Sequence, residues 1–498
     1  MYLLGIDVGS SFVKASVLNA ETGKPVASAS APGQEMKISS LNPGWAEQDP
    51  QTWWEALREA VKSCLRSKPS LKDSIAAIGI SYQMHGLVAV DHKHEPIRPS
   101  IIWCDSRAIS YGNRAYDNIG HKFCMDNLLN NPGNFTAAKL AWMKENEAQN
   151  FSRIYKIMLP GDYIAMRLTG EICTTVSGLS EGVFWDFREH RISPELLDYF
   201  SFESDIIPPV REVFSTQGEL RRDAAAAMGL QSGIPVSYRA GDQPNNAFSL
   251  KVLEPGEVAA TAGTSGVLYG VTDRVQTDEK SRVNLFAHVN YTKEKKRLGM
   301  LACVNGTGIM NAWVRRIAGG GQAYEEMNRM ADAVEPGSGG LKILPFGNGA
   351  ERLLGNLDLG ASIFKLNLNT HGKEHIYRAV QEGVAYAFRY AADIMNEAGT
   401  DISVIRAGKS NMFLSPLFRS LVADLTGASV LLYNTDGSAG AARGAGLGAG
   451  IYANREEAFK GMEVEEEINP REKESKIYEA LYTEWKEILQ DELERLNK

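Results

Sequence analysis

An apolar strand at the start of the chain, residues 3–8, breaks at a turn of small polar residues and then resumes as a second strand. The turn reads Asp7-Val-Gly-Ser-Ser11, and Lys14 follows it. Backbone N–H groups in such a turn can bind phosphate oxygens, and the carboxylate can hold Mg²⁺, usually through water. A related hairpin recurs at residues 258–269, around Gly263-Thr-Ser-Gly266. Either hairpin alone could be an ordinary turn, whereas two in one chain predict a two-lobed nucleotide enzyme.

The length of the chain, 498 residues, is too great for one compact core and predicts two domains of roughly 250 residues each. A predicted strand ends near Ala240, and Glu254-Pro-Gly256 then marks a linker into the second hairpin. These signals give an N-terminal domain over residues 1–253 and a C-terminal domain over residues 254–498. The charged tail from residue 456 onwards is predicted to be mostly helical and packed on the second domain.

Charge and cysteine usage narrow the class of protein. The net charge of −8 and the pI near 5.7 argue against a nucleic-acid surface, which needs clustered basic residues. The five cysteines never form a Cys-x-x-Cys pair, which predicts reduced thiols and neither a disulfide framework nor a zinc site. No apolar run is long enough to span a bilayer. We therefore expect a cytoplasmic protein with neither nucleic acid nor a membrane as partner.

Two polar motifs follow predicted strands. Gln83-Met-His-Gly86 ends a strand over residues 75–81, and the carboxyl ends of strands are where α/β sheets place ligands. Gln and His offer both donors and acceptors to the hydroxyls of a polyol. The alternative for this motif is a buried His satisfied by backbone, with Met filling core.

Asp242 follows the predicted strand over residues 236–240, in the run Arg239-Ala-Gly-Asp-Gln-Pro244. A carboxylate within about 3 Å of an acceptor hydroxyl can take its proton during phosphoryl transfer, and aspartate suffices without a strongly raised pKa. The alternative is an aspartate that caps the helix beginning at Asn245.

A glycine-rich run at residues 437–448 is similar to a dinucleotide-binding fingerprint. It lacks the expected strand–turn–helix unit with a downstream acidic residue, so a closely packed helix of small residues is the favoured prediction.

Taken in order over residues 3–452, the motifs of this chain resemble those of the FGGY carbohydrate kinases, and within that family the kinases of D-xylulose. Besides the two hairpins, the 83–86 motif and Asp242, the resemblance rests on Trp45-Ala-Glu-Gln-Asp-Pro50, Trp103-Cys-Asp-Ser-Arg107, Phe135-Thr-Ala-Ala-Lys-Leu140, Leu159-Pro-Gly-Asp-Tyr163 and Arg378-Ala-Val-Gln-Glu-Gly383. It implies an α/β fold of two RNase-H-like (actin-like ATPase) domains with an active-site cleft between the lobes.

The resemblance also implies roles for individual residues. Asp242 is expected to be the general base and a sugar contact, beside the further sugar contacts Gln83, Met84, His85 and Trp103. Asp7 is expected to bind Mg²⁺, directly or through water. The residues expected to bind ATP are Ser10, Ser11, Lys14, Gly263, Thr264, Ser265, Gly308, Gly408 and Asn411. Near Gly408 the chain reads Arg406-Ala-Gly408, where the family usually has a Gly-Gly-Gly-Ala turn beside adenosine.

The activity implied is the phosphorylation of D-xylulose to D-xylulose 5-phosphate, with a small sugar and ATP as partners and ATP and Mg²⁺ as cofactors. One alternative is a kinase of another ketopentose, polyol or sugar acid in the same family. Another class of protein, a non-catalytic actin-like sugar sensor that binds ATP, is disfavoured because both Asp7 and Asp242 are retained. The oligomeric state stays open, with a homodimer as one option.

Overall fold

The computed structural model describes residues 1–278 and 280–496, and its chain divides into two compact units. The first unit contains Met1–Lys251, Phe286–Arg297 and Thr435–Met462, and the second contains Val252–Leu285, Leu298–Asn434 and Glu463–Lys498. Phe286–Arg297 and Thr435–Met462 thus belong to the first unit, although a division into consecutive domains at 253/254 assigns them to the second. The predicted domain limits themselves stay a prediction.

The structure contains strands and helices throughout both units. The strands are β1 (Tyr2–Val8), β2 (Val13–Asn19), β3 (Pro25–Ala31), β4 (Glu47–Gln48), β5 (Ile75–Tyr82), β6 (Val88–Val90), β7 (Ser100–Ile101), β8 (Lys156–Met158), β9 (Thr174–Thr175), β10 (Trp185–Asp186), β11 (Arg191–Ile192), β12 (Val210–Arg211), β13 (Val236–Gly241), β14 (Glu257–Ala262), β15 (Gly266–Thr272), β16 (Asn284–Ala287), β17 (Leu298–Val304), β18 (Lys342–Phe346), β19 (Gly360–Phe364), β20 (Val404–Gly408), β21 (Ser429–Tyr433) and β22 (Val464–Ile468). The helices are α1 (Pro50–Ser67), α2 (Ile109–Ile119), α3 (His121–Phe123), α4 (Thr136–Asn146), α5 (Ala148–Phe151), α6 (Pro160–Thr169), α7 (Val176–Glu181), α8 (Pro194–Phe200), α9 (Arg222–Met228), α10 (Asp242–Ser249), α11 (Gly308–Ile317), α12 (Tyr324–Asp332), α13 (Lys373–Glu397), α14 (Pro416–Thr426), α15 (Gly437–Gly448), α16 (Arg455–Ala458) and α17 (Glu472–Leu496).

Each unit contains a sheet built on the same plan. In the first unit the order is β13-β5-β1-β2-β3, in which β1, β2 and β3 are antiparallel and β5 and β13 run parallel to β1. In the second unit β17, β15 and β14 are antiparallel, and β20 and β21 continue parallel to β14. The predicted duplication of one α/β fold is confirmed.

Helices cover the first sheet on both faces. Helix α1 packs on β2 and β3; Asp49 caps it by accepting a hydrogen bond from the backbone N–H of Gln51. Helix α15 packs on β1, β5 and β13, where Ser438 Oγ lies 2.7 Å from Ser16 Oγ and Ser237 Oγ donates to the Ala445 carbonyl at 2.8 Å. The predicted close-packed helix at 437–448 is confirmed, although a strand, β21, does precede it.

The charged tail differs in one respect from its prediction. It is mostly helical, as expected, and α17 packs on α13 and α14 through buried aromatic residues, with the Trp485 indole donating to the Ile343 carbonyl at 2.8 Å. Strand β22 was not expected, because its sequence Val-Glu-Glu-Glu-Ile carries charge at three of five positions. It forms by antiparallel pairing with β21, an interaction between distant parts of the chain.

Among residues 1–278 and 280–496, no helix is both long and apolar enough to cross a membrane.

Candidate active site

Three neighbouring parallel strands of the first unit, β1, β5 and β13, bring the predicted polar residues to one edge of the sheet. Asp7, near the end of β1, lies in register with Ser81 of β5, and Gly241 at the end of β13 lies in register with Tyr82. The 83–85 turn follows β5 directly, and Asp242 begins α10 directly after β13. The structure therefore places Asp7, the 83–85 turn and Asp242 at the same edge of the sheet.

Asp242 is the first residue of α10, at the position where a helix dipole favours negative charge. Burial raises the pKa of its carboxyl to about 7; the charge of Asp7 adds to the rise, while hydrogen bonds from Gln243 oppose it. Aspartate was expected to suffice as a base without a strongly raised pKa; the rise in the pKa of Asp242 comes first from burial and second from the nearby Asp7 carboxylate. A pKa near neutrality suits a group that must accept a proton in the reaction.

Asp7 lies, partly exposed, among charged groups. Burial raises the pKa of its carboxyl and Asp436 adds to the rise, while a hydrogen bond from Ser81 and the charge of Lys14 oppose it. Lys14 is the cross-strand partner of Asp7 and forms an ion pair with Asp436, with Nζ and Oδ2 2.5 Å apart. The Asp436 carboxylate therefore holds Lys14 beside the turn where Lys14 was predicted to bind phosphate.

Asp436 and Gly437 complete this cluster, although neither was predicted as a site residue from the sequence. Asp436 caps α15 by accepting from the Ala439 N–H at 3.0 Å, and a Cβ on Gly437 would fall 2.5 Å from Asp7 Oδ2. The Gly437 carbonyl accepts from Asn245 Nδ2 at 2.8 Å. An aspartate directly before a run of small residues is the signal for such a cap, but only the fold shows that this helix begins beside Asp7.

The carboxyl of Asp7 fits the requirements of Mg²⁺. This ion is usually bound through one or two carboxylates, with waters and substrate phosphates completing its octahedron. Within the described part of the chain, no group of three or more His, Cys, Asp or Glu residues is arranged to hold a metal. The donor set therefore fits an ion shared with a phosphate ligand and does not fit a cage made by protein alone.

The 83–85 turn is held by several polar contacts. His85 has a left-handed backbone conformation with φ of 60°, and its carbonyl accepts from Lys139 Nζ at 2.8 Å. Its ring Nδ1 lies 2.9 Å from the Glu181 carbonyl, and the ring packs on Phe135 and Phe286. Gln83 and Met84 are buried. The backbone bond of the His85 ring agrees with the alternative of a satisfied histidine, so the sugar contacts of this turn stay a prediction.

Trp103 lies on a loop beside the first hairpin. Its side chain is 47% exposed, and the indole N–H donates to Ser10 Oγ at 3.4 Å. The loop is fixed by buried Asp105, which accepts from the Ala46 N–H and from the Arg107 guanidinium. That guanidinium lies over the ring of Trp45 at 3.7 Å. The Trp45 and Trp103–Arg107 motifs thus support the exposed indole.

The first hairpin turn itself is pinned by backbone contacts. The Gly9 N–H donates to the Phe12 carbonyl at 3.0 Å, and the Ser10 carbonyl accepts from Gln48 Nε2 at 2.6 Å. The Ser11 carbonyl accepts from the Met36 N–H at 2.9 Å. Both serine side chains remain partly exposed.

In the second unit the predicted nucleotide residues lie close together at the corresponding sheet edge. Helix α11 begins at Gly308, whose N–H donates to the Gly263 carbonyl at 2.7 Å, while the Ile309 N–H donates to the Thr264 carbonyl at 3.2 Å. Gly408 ends β20, and Asn411 begins a 3₁₀ turn at Asn411–Leu414. A Cβ on Gly263 would lie 3.5 Å from Asn411 Nδ2. Ser265 completes the turn between β14 and β15.

The same arrangement is matched over nearly the whole chain by known proteins. Residues 2–249 match the FGGY family of carbohydrate kinases, N-terminal domain, and residues 258–453 match its C-terminal domain. The chain belongs to the FGGY family of carbohydrate kinases. It is therefore an ATP-dependent sugar kinase, and the alternative of a non-catalytic sensor is wrong.

Individual FGGY kinases agree with this assignment but differ in the sugar they are named for. The xylulose kinase of Escherichia coli (strain K12) is 31% identical over 469 residues, which cover 92% of this chain and 91% of that one. The crystal structure of a xylulose kinase from Rhodospirillum rubrum superposes with a TM-score of 0.89 at 23% identity, covering 100% of both chains. A gluconate kinase from Lactobacillus acidophilus has the same TM-score at 22% identity, covering 99% of this chain and 98% of that one. The two structures show the shared fold and do not select a sugar.

Proposed function

We propose that this FGGY kinase transfers the γ-phosphoryl group of ATP to the terminal hydroxyl of D-xylulose and forms D-xylulose 5-phosphate. The observation that carries the proposal is the position of Asp242 at the end of β13, beside the 83–85 turn, where burial and the charge of Asp7 raise the pKa of its carboxyl to about 7. The similarity to the Escherichia coli xylulose kinase supports the choice of sugar.

In the proposed reaction, Asp242 accepts the proton of the acceptor hydroxyl while the hydroxyl oxygen bonds to the γ-phosphorus and ADP leaves. Positioning and charge stabilisation supply most of the catalysis in phosphoryl transfer. Asp7 would hold Mg²⁺, which when bound neutralises negative charge on the phosphates. The first hairpin would contribute Ser10, Ser11 and Lys14 to the phosphates. In the second unit, Gly263, Thr264, Ser265 and Gly308 would bind phosphate, and Gly408 and Asn411 would contact the nucleoside.

A neutral sugar suits the charges around the 83–85 turn better than a sugar acid does. Two buried cations of this region are already engaged: Lys139 donates to the His85 carbonyl, and Arg239 Nε lies 3.0 Å from Asp162 Oδ1. Burial lowers the pKa of Lys139 to about 7, which weakens it further as an anion partner. Neither of these two cations is therefore placed to pair with a carboxylate on the substrate. We therefore infer a ketose acceptor and not gluconate.

A panel of acceptors tests the proposal. ADP release is measured with ATP and Mg²⁺ in the presence of D-xylulose, D-ribulose, glycerol or gluconate. We expect the highest kcat/KM for D-xylulose and the lowest for gluconate. A higher kcat/KM for D-ribulose or glycerol would refute the choice of sugar, and a higher value for gluconate would also refute the charge argument.

A further inference from the structure

A buried acid next to the site, Glu181, has no role in the reaction described so far. It is the last residue of α7, and its side chain is 1% exposed. A Cβ on Gly241, the residue before Asp242, would fall 2.5 Å from Glu181 Oε2. The Tyr82 hydroxyl and the His85 N–H are its polar neighbours. One carboxyl thus lies against the end of β13, the end of β5 and the turn that follows β5.

The contacts of this carboxyl are incomplete for a buried group. Neither Oε1 nor Oε2 makes a hydrogen bond of good geometry within the described residues. A buried polar group without full hydrogen bonding is costly, and such groups are kept where they serve function. Asp186, five residues along, provides the contrast: it is equally buried, yet it accepts from Asn127 Nδ2 and from the N–H groups of Arg188 and Glu189 at 2.8–2.9 Å.

The surroundings of Glu181 favour its neutral form. Burial raises the pKa of the carboxyl well above its usual range, and the charges of Asp242 and Asp162 raise it further, while the neighbouring Tyr82 hydroxyl and His85 N–H oppose the rise. Lys139 is the nearby cation, since Arg239 pairs with Asp162. A neutral carboxylic acid has one O–H donor and one carbonyl acceptor. It can therefore link two structural elements without bringing another negative charge to Asp242.

Helix α7 is a firm support for this side chain. The Ser177 hydroxyl donates to the Ala287 carbonyl at 3.0 Å, and the Ala287 N–H donates to Ser180 Oγ at 2.9 Å. The main-chain carbonyl of Glu181 also contacts His85 Nδ1 at 2.9 Å. Both the backbone and the side chain of Glu181 therefore touch His85 from a fixed helix end.

We propose that Glu181 is a positioning residue that joins the sugar-contacting turn at residues 83–85 to the strand end that presents Asp242. It thereby fixes the acceptor hydroxyl against the general base. The inference rests on the proposed sugar kinase mechanism, but it does not depend on which sugar is preferred. Loss of this link misplaces the sugar relative to Asp242, and even small misplacements cost large factors in rate.

The test uses Glu181→Gln, Glu181→Leu and the matched control Asp186→Asn in the full chain. For each variant, kcat, the KM for the sugar preferred in the panel, the KM for ATP and the Tm are measured. Glu181→Gln preserves the shape and polarity of the neutral acid, and we expect its constants to stay within about threefold of wild type. We expect Glu181→Leu to raise the sugar KM and lower kcat by about tenfold or more each, with the ATP KM changed less than about threefold.

The control separates positioning from general stability. Asp186→Asn is expected to lower the Tm with little change in the sugar KM. The inference is overturned if Glu181→Leu retains the wild-type sugar KM and kcat, if Glu181→Gln is as impaired as Glu181→Leu, or if the KM values for sugar and ATP change equally. If Glu181→Leu does not fold, Tyr82→Phe decides: a sugar KM raised about threefold or more supports the link, and an unchanged one overturns it.

The same measurements distinguish this inference from the proposed function. A wild-type enzyme that prefers a sugar other than D-xylulose contradicts the proposed substrate, yet the Glu181 variants are then assayed with that sugar and the inference is still decided.

Discussion

Asp242 combines two properties that oppose each other in a protein interior. It must be ionised to accept a proton, yet desolvation and the negative charge of Asp7 both disfavour its ionised form. The result is a carboxyl with a pKa of about 7, so that a change of pH near neutrality changes the fraction of active base. The ionisation of Asp242 therefore affects both the activity and the stability of the protein.

The first prediction concerns the pH dependence of activity. Because the base form of Asp242 is the active one, kcat/KM for the sugar should rise with pH below about 7 and level off above it. The measurement is kcat/KM from about pH 5.5 to about pH 8.5 at saturating ATP and Mg²⁺. The residual activity of Asp242→Asn should lack this rise; the same profile in that variant would assign the ionisation to another group.

The second prediction concerns Asp242→Asn itself. We expect kcat to fall by about 10²- to 10⁴-fold, the usual contribution of a general base. The folded-state pKa of Asp242 lies above its ordinary value of 3.8, so the wild-type protein loses stability as pH rises from about 4 to about 7. The amide variant cannot ionise and escapes this loss.

Thermal unfolding measures the second effect. The Tm of Asp242→Asn minus that of wild type should increase between about pH 5 and about pH 8. A Tm difference that is independent of pH would show that burial of Asp242 does not strain the folded state.

At the scale of elements, the site depends on how closely α7 and the 83–85 turn approach the end of β13. Gly241 permits this approach, since a Cβ there would fall 2.5 Å from Glu181 Oε2 and 2.6 Å from Met84 Cγ. Both atoms belong to side chains, so a methyl group would displace Glu181 and Met84 and leave the backbone of the sheet in place.

The third prediction is that Gly241→Ala lowers kcat/KM for the sugar by about tenfold or more while the Tm falls only modestly. In the double variant Gly241→Ala/Glu181→Ala the two losses should be less than additive, because Glu181→Ala already removes one of the two side chains that the methyl group displaces. Gly33→Ala is the matched control, since a Cβ at Gly33 meets nothing within 4 Å. Equal effects at Gly33 and Gly241 would contradict this explanation.

At the scale of the whole molecule, the sequence predicts the parts of the fold that local patterns specify. Two hairpins with the same turn chemistry predicted a two-lobed nucleotide enzyme, the resemblance to the FGGY kinases implied the duplicated α/β plan, and motifs after predicted strands selected His85 and Asp242. Parallel strands bring their carboxyl ends to one edge of a sheet, so residues that directly follow such strands lie close together in the fold.

The rest of the site depends on contacts between distant segments. Glu181 and Asp436 lie at a helix end and a helix cap, and nothing local to either marks its proximity to the 83–85 turn or to Asp7. The raised pKa of Asp242 has the same origin, because both its burial and, second, the charge of Asp7 come from the packing of segments far apart in sequence. Strand β22 is a third case, formed by pairing that overrides a highly charged sequence.

The fourth prediction concerns the integrity of the first unit. Residues 1–253 alone lack α15, which packs on β1, β5 and β13. We expect this fragment to bind a hydrophobic dye and to unfold without a cooperative transition. Joining residues 435–462 to it through a flexible linker should restore a cooperative transition in thermal unfolding. Cooperative unfolding of the fragment alone, at a Tm near that of the full chain, would contradict the prediction.

Helix α15 also sets the order of events during synthesis. The ribosome completes the five strands of the first sheet long before it makes Gly437–Gly448, so the nascent chain displays an apolar sheet face while the second unit is being translated. The first half of this kinase therefore cannot finish folding as it emerges. A chaperone that shields this face would act during translation, and the protein becomes independent of it only after Gly437–Gly448 has been added.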